Sequence, residues 1–140
     1  MEKIHSSTAD ASGLKKSHVV ADYGLIDTEI VIPEGLDTQN KRVTPETLFS
    51  AAFAACLLSA IRTAAKLHRI ELTEDIRVHS DVQLLTHSGE NYKLEVVLKP
   101  QLHLKNEQQK QQLMTEAIRM FPFDIHQNGS HNLSVRVEME

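Results

Sequence analysis

The stretch TPETLFSAAFAACLLSAIR, from Thr44 to Arg62, decides the fold of this 140-residue chain. After Glu46, fifteen uncharged residues follow before Arg62, and the chain's single cysteine, Cys56, lies among them. A membrane-spanning helix would need roughly 20 apolar residues, and charged residues bracket this shorter run. The pattern therefore predicts a helix buried inside a protein core, and no contact with a membrane is expected.

The predicted helix has a clear start and an unusual surface. Thr44 is a favourable N-cap and Pro45 a favourable first helical residue, and we expect the helix to end at about His68. A helix that is apolar on every side must be surrounded by protein. The remaining strands and the second helix of one chain are too few to surround the helix, and a second copy of the chain is the simplest source of the missing contacts. We therefore predict a homodimer. The apolar residues on all sides of the helix are Leu48, Phe49, Ala51, Ala52, Phe53, Ala54, Ala55, Leu57, Leu58, Ala60 and Ile61.

The rest of the chain predicts a single α+β domain over residues 1–140. Residues 3–32 contain two β-rich runs with a turn at Gly24, and NEQQKQQLMTEAIRM is an amphipathic helix that ends before Pro122. Alternating runs after the first helix predict a hairpin around Gly89 and a final strand. Pro100 indicates an edge position or a bulge in its strand. The order of elements favours mostly antiparallel pairing.

Composition excludes several classes of function. A net charge of −4 argues against nucleic acid as a partner, because phosphate neutralisation requires a basic surface. One cysteine forms no internal disulfide, which fits a reducing cytoplasm, and the N-terminus shows no secretory signal. The eight histidines show no metal-ligand spacing, so neither a metal nor another cofactor is expected.

Two interpretations of Cys56 remain open from the residues alone. Free cysteine is often a small buried hydrophobe, and that role would need nothing else nearby. A reactive thiolate, by contrast, needs a neighbouring cation, because apolar burial alone raises the pKa of a thiol. A mid-helix position gains little from the helix dipole. The cation would have to come from elsewhere in the fold, and Lys15, Lys16 and Arg42 are the candidates.

The segment around Cys56 resembles the OsmC/organic hydroperoxide resistance (Ohr) family, in which this region reads N-P-E-x-L-F-A-A-[GAS]-[YF]-[AS]-A-C-F. The N-terminal hairpin TADASGLKKSHVVADYGLIDTEI and the later order of elements are also similar, so the resemblance covers nearly the whole chain. It implies an intertwined homodimer, with antiparallel sheets wrapped around long central helices. The residues that match the motif are Pro45, Glu46, Leu48, Phe49, Ala51, Ala52, Phe53, Ala55 and Cys56.

The resemblance also implies an activity and a site. The family reduces organic hydroperoxides with a peroxidatic cysteine assisted by a glutamate and an arginine, which correspond here to Cys56, Glu46 and Lys15. The alignment of the arginine could slip to Lys16. The family's resolving cysteine aligns with Phe121, so the usual internal disulfide is impossible in this chain. A one-cysteine enzyme would then need an external thiol or dithiol reductant.

Helix geometry adds a constraint on this site. Glu46 and Cys56 are ten residues apart, about 15 Å along one straight helix, so they cannot touch within it. Either the helix is broken between them, or Glu46 comes from the partner chain, and we favour a composite site at the dimer interface. The alternative is a catalytically impaired protein with the same scaffold, in which Phe121 fills the pocket. Such a protein would act as a thiol sensor or bind an apolar ligand.

Overall fold

The computed structural model describes residues 1–14, 16–31, 42–73, 75–125 and 132–139. The chain divides into two compact units, Met1–Leu48 and Phe49–Glu140. The elements in chain order are β1 (Ala9–Ser12), β2 (Ser17–Ala21), β3 (Ile26–Ile30), α1 (Pro45–Leu67), β4 (Arg77–His87), β5 (Asn91–Gln101), α2 (Glu107–Met120) and β6 (Leu133–Val137).

The N-terminal unit is a three-stranded antiparallel sheet in the order β1-β2-β3. Strands β2 and β3 lie within the two predicted β-rich runs, whereas β1 lies outside both. The turn between β2 and β3 places Gly24 at φ 99°, a conformation that glycine adopts without a Cβ penalty. At the same corner the backbone N–H of Thr8 donates to Asp22 Oδ1 at 2.9 Å. That bond, together with one from the Ser7 hydroxyl, lowers the pKa of the Asp22 carboxyl.

Helix α1 begins where the sequence predicts. Thr44 Oγ1 accepts the Thr47 N–H at 3.2 Å, and Thr47 Oγ1 accepts the Thr44 N–H at 3.1 Å, so each hydroxyl satisfies a backbone donor of the first turn. The helix ends at Leu67, one residue before the predicted end. Arg69 follows at φ 54°, and the Ile70 N–H donates to the Ala65 carbonyl, which closes the last turn.

Replacing Thr44 with alanine should lower the free energy of unfolding by about 1 kcal/mol, because it removes the oxygen that caps the first turn. Thr63→Ala is the matched control, since Thr63 is an exposed residue of the same helix whose hydroxyl donates to the Ser59 carbonyl and accepts no N–H of the first turn. We expect the control to change stability by less than about 0.5 kcal/mol in urea unfolding. Equal losses for the two variants would contradict the capping role.

The C-terminal unit contains a second sheet in the order β4-β5-β6. Strands β4 and β5 form the predicted hairpin, and its turn places Ser88 and Gly89 at φ 58° and 72°. Strand β6 pairs with β5 in parallel, whereas every other strand pair in the described residues is antiparallel. Helix α2 makes this possible, because a parallel connection requires a crossover segment.

Strand β5 is the middle strand of its sheet, although Pro100 favours an edge position. The central position of β5 and the edge preference of Pro100 are compatible, because they concern different parts of the strand. Strand β6 pairs with β5 only over Leu94–Leu98, so at Pro100 the ladder has one neighbour, opposite Val78. The missing N–H of the proline therefore interrupts a single pairing at the end of the strand.

The core of the C-terminal unit lies between one face of α1, the inner face of the sheet and α2. Leu113 and Ala117 face this core as predicted, but the expectation that Ile118 does so is wrong, since it is 37% exposed. Met114 also belongs to the buried face of that helix, Phe121 directly after the helix is buried too, and Ile118 lies at the edge of this face. The buried side chains of this hydrophobic cluster are Phe53, Leu57, Ala60, Ile61, Ala64, Ala65, Val96, Leu98, Leu102, Leu113, Met114, Ala117, Phe121 and Val135.

The described residues leave the other face of α1 uncovered. Ala51, Ala52 and Ala55 are exposed, and Phe49 is half exposed. By length and composition alone α1 could cross a membrane, and only 33% of its most apolar stretch is buried. The same length and composition are found in core helices of soluble proteins, and Leu57 and its neighbours form such a core. The described residues of one copy therefore do not provide the all-round burial that the sequence predicts.

Candidate functional site

Cys56 lies at the middle of α1 and is a free thiol. Its side chain is half-buried and packs against the edge of the hydrophobic core, beside the buried Phe53 and Leu57. The thiol is therefore neither sealed inside the core nor fully solvated. A small apolar molecule that reaches it would meet hydrocarbon on the core side.

All four phenylalanines of the chain form one continuous aromatic cluster. The ring centroids of Phe49 and Phe53 are 6.2 Å apart, those of Phe53 and Phe123 are 4.7 Å apart, and those of Phe121 and Phe123 are 5.5 Å apart. Offset and tilted pairs at these distances add to the stabilisation from buried area. The sequence patterns do not predict this cluster. Its only signals in the sequence are the i, i+4 spacing on α1 and the run MFPF.

Phe121 occupies the position that the resemblance assigns to the resolving cysteine. Its backbone N–H donates to the carbonyls of Ala117 and Ile118, so it directly follows α2 in a fixed position. The ring is only 5% exposed and belongs to the core cluster against which Cys56 packs. By this resemblance, an aromatic core side chain stands where a second thiol is expected.

Glu46 and Cys56 belong to one uninterrupted helix. α1 runs from Pro45 to Leu67, so the alternative of a broken helix between them is excluded. Glu46 is half-buried in the first turn, and no described residue forms an ion pair or hydrogen bond with its carboxylate. A carboxylate there also interacts favourably with the helix dipole. Lys15 lies outside the described residues, so its predicted role is not located.

The other two candidate cations come together in the N-terminal unit. Lys16 and Arg42 line one open cavity of about 540 Å³, whose wall also includes Thr28, Glu29, Val31 and Val43. Within the described part of the chain, no carboxylate oxygen lies within 4.0 Å of the Lys16 ammonium or the Arg42 guanidinium. Both residues are candidate cations from the sequence alone. The cavity that they share is not predictable in that way, because it depends on strand pairing.

The histidines that the structure describes do not gather into a site. Among the described residues, no group of three or more His, Cys, Asp or Glu side chains could hold a metal ion. His18 pairs with Asp27, and His103 Nε2 lies 3.4 Å from Asp75. A hydrogen bond from the Thr73 hydroxyl, and to a smaller extent the charge of His103, lower the pKa of Asp75. These are surface pairs.

Comparison with known proteins places the chain in a family. The model of the family described as OsmC-like protein matches residues 38–122, more than half of the chain, and this range contains Glu46, Cys56 and Phe121. The chain belongs to the OsmC-like protein family. Over its full length it is 26% identical to the organic hydroperoxide resistance protein OhrB of Bacillus subtilis, with 98% of each chain covered. OhrA of the same organism is 23% identical, with 97% of each covered.

Solved structures agree with this assignment. An organic hydroperoxide resistance protein from Legionella pneumophila is 28% identical and superimposes with a TM-score of 0.80, over 99% of this chain and 98% of that one. One from Elizabethkingia anophelis is 26% identical with a TM-score of 0.82, over 99% and 98%. The predicted α+β fold of the OsmC/Ohr type is thereby confirmed, and the relatives' names support the family's role in organic hydroperoxide resistance.

Proposed function

We propose that this OsmC-like protein is a thiol-dependent peroxidase, which reduces organic hydroperoxides with Cys56 as its only reacting sulfur. The observation that carries the proposal is the position of Cys56. It falls at the family's motif position, halfway along an uninterrupted helix, half-buried at the edge of an apolar core. The relatives that match over the full length and are named organic hydroperoxide resistance proteins supply the substrate class.

The reaction runs in two stages. The thiolate sulfur attacks one oxygen of the hydroperoxide, so that an S–O bond forms, the O–O bond breaks, and the second oxygen leaves as an alcohol after it takes up a proton. Cys56 becomes a sulfenic acid. An external thiol then displaces water to give a mixed disulfide, and a second thiol reopens it. Two thiols are oxidised to one disulfide for each hydroperoxide reduced.

The reductant must come from outside the chain. The chain has no second cysteine, and the buried Phe121 ring stands where the family has its resolving thiol. The sulfenic acid is therefore reduced by an external thiol or dithiol. The reducing cytoplasm, which we propose as the location of the protein, would supply such a reductant. The apolar edge of the core beside Cys56 favours a hydroperoxide with a hydrocarbon body over hydrogen peroxide, because burying that body removes apolar surface from water.

A homodimer would complete the site. The exposed face of α1 carries Ala51, Ala52 and Ala55, whose small side chains allow another helix to approach closely. An exposed apolar face of this kind is typical of a protein–protein interface. A partner chain would also supply the carboxylate that Cys56 cannot receive from Glu46 of its own straight helix. The cation would be Lys15 by family resemblance, with Lys16 and Arg42 as the other candidates.

Single-turnover kinetics test the proposal. The reduced protein is mixed with cumene hydroperoxide or hydrogen peroxide, and thiol loss is followed by stopped flow. We expect cumene hydroperoxide to react faster than hydrogen peroxide, and much faster than it reacts with free cysteine under the same conditions. A protein thiol that reacts no faster than free cysteine would remove the proposal.

A mixing experiment tests the composite site. Glu46→Gln and Cys56→Ser proteins should each be inactive, but unfolding and refolding them together should restore about a quarter of the wild-type activity. In a mixed dimer, Cys56 of the Glu46→Gln chain meets Glu46 of the Cys56→Ser chain, so one of the two sites works. Mixed dimers make up half of a random population, so a quarter of all sites are active.

Each variant refolded alone is the control for recovery. If mass measurement shows that mixed dimers have formed but the mixture stays as inactive as its components, Glu46 does not act on Cys56 of the partner chain, and the composite site is contradicted. A protein that remains monomeric at assay concentration would contradict the dimer itself.

The buried Phe121 ring favours one other candidate function. A buried aromatic side chain at this position, with no resolving thiol in the chain, fits a thiol sensor or an apolar-ligand scaffold that does not turn over. The two functions differ in turnover. With excess dithiol, the enzyme consumes many equivalents of hydroperoxide per Cys56, whereas the sensor stops after one.

A further inference from the structure

The Lys16–Arg42 cavity of the N-terminal unit brings two cations together with two valine side chains and a single carboxylate. Strand pairing builds it. Ser17 pairs with Ile30 at the end of β2 and β3, so Lys16 and Val31 continue those strands side by side. The Val31 N–H donates to the Val43 carbonyl at 2.9 Å, which brings Arg42 to the same end of the sheet.

Close backbone packing also fixes Lys16. Gly13 has φ 103°, and a Cβ added there would lie 2.1 Å from the Lys16 carbonyl oxygen. Only glycine fits in this turn, which brings the chain back so that Lys16 directly precedes β2. The backbones that carry the two cations are thus held by the turn and by the pairing with β3. A site with held backbones loses less entropy when it binds a ligand.

We propose that this cavity binds a carboxylate-bearing ligand with a short apolar body. The planar guanidinium of Arg42 matches a carboxylate with two parallel hydrogen bonds, and the Lys16 ammonium adds a second positive charge. Glu29 also lines the cavity, so one positive charge remains in excess. Val31 and Val43 provide the apolar contact. The proposal concerns the N-terminal unit alone and does not depend on the chemistry of Cys56.

An NMR titration at constant ionic strength tests the proposal, with butyrate as the probe and acetate and butylamine as comparisons. We expect butyrate to shift the amide signals of Lys16, Val31 and Val43. It should bind about threefold or more tightly than acetate, because its two additional methylenes contact the valines. Butylamine should not shift these signals. Equal affinities for butyrate and acetate, or binding of butylamine at the same residues, would overturn the proposal.

Variants test the role of the cations. Arg42→Gln should weaken butyrate binding about tenfold, because it removes a charge-assisted pair of hydrogen bonds. Arg42→Lys should lie between Arg42→Gln and wild type, since it keeps the charge but loses the planar fork. Lys66→Gln, an exposed change of equal charge at the end of α1, is the matched control and should bind like wild type. Equal weakening by Lys66→Gln and Arg42→Gln would show an effect of net charge only and would overturn the site.

Discussion

Cys56→Ser protein should show no hydroperoxide reduction above background, a loss of about 10³-fold or more when assayed with cumene hydroperoxide and excess dithiol. The chain has no other thiol, so no group remains that can form the sulfenic acid. The substitution removes little volume from a half-buried position, and the protein should stay folded. If only stability fell and hydroperoxide turnover persisted, the scaffold interpretation would replace the enzyme.

A relocated thiol is the matched control for this prediction. The double variant Cys56→Ser with Thr115→Cys keeps one thiol per chain, but at an exposed position on α2. We expect it to react no faster than free cysteine, because Thr115 lies outside the α1 segment that places Cys56 against the core edge. Wild-type rates from the relocated thiol would show that any thiol suffices and that the position of Cys56 has no special role.

Phe121→Ala should lower the free energy of unfolding by about 3–5 kcal/mol. The ring is 5% exposed, lies 5.5 Å from the Phe123 ring and belongs to the core cluster. Truncation would lose both the buried area and the aromatic contact, and it would leave a cavity that the helix end refills only partly. A loss of this size is a large fraction of the stability of an ordinary domain.

Two further variants calibrate the Phe121 measurement, which is made by urea unfolding at a fixed protein concentration. Phe121→Leu keeps most of the volume and should cost less than Phe121→Ala. Leu67→Ala removes a side chain that is 64% exposed and should change stability by about 0.5 kcal/mol or less. A Phe121→Ala protein within 1 kcal/mol of wild type would mean that the ring does not seal the core.

Local signals in the sequence predict much of the fold. The start of α1 follows from Thr44 and Pro45, whose effect on the first turn depends only on near neighbours. The hairpin around Gly89 follows from alternation on both sides of a turn residue. These features depend on contacts within a few residues, and for this reason sequence patterns report them well.

Features that depend on distant pairing are harder to predict from the sequence. The parallel pairing of β6 follows from where α2 returns the chain, and no residue of β6 encodes that direction. Ile118 shows the same limit, because its exposure depends on how α2 is rotated against the core. The aromatic cluster joins Phe53 on α1 to Phe123 beyond α2, a contact between segments seventy residues apart.

The candidate site divides in the same way. A local motif identifies Cys56 and Glu46, and helix geometry alone shows that they cannot meet within one chain. The shared cavity of Lys16 and Arg42 could not be predicted, because it depends on the Val31–Val43 hydrogen bond. An arginine before a helix has many possible neighbours, and only the strand pairing places it beside Lys16.

Mass spectrometry of the protein after one equivalent of cumene hydroperoxide, with a trap for sulfenic acids present, tests the central claim most directly. We expect one trapped sulfenic acid per chain, located at Cys56 and formed within the single-turnover time, with one equivalent of cumyl alcohol released. A thiol that remains reduced while the hydroperoxide persists, or oxidation of other residues in its place, would contradict the assignment of Cys56 as the peroxidatic group.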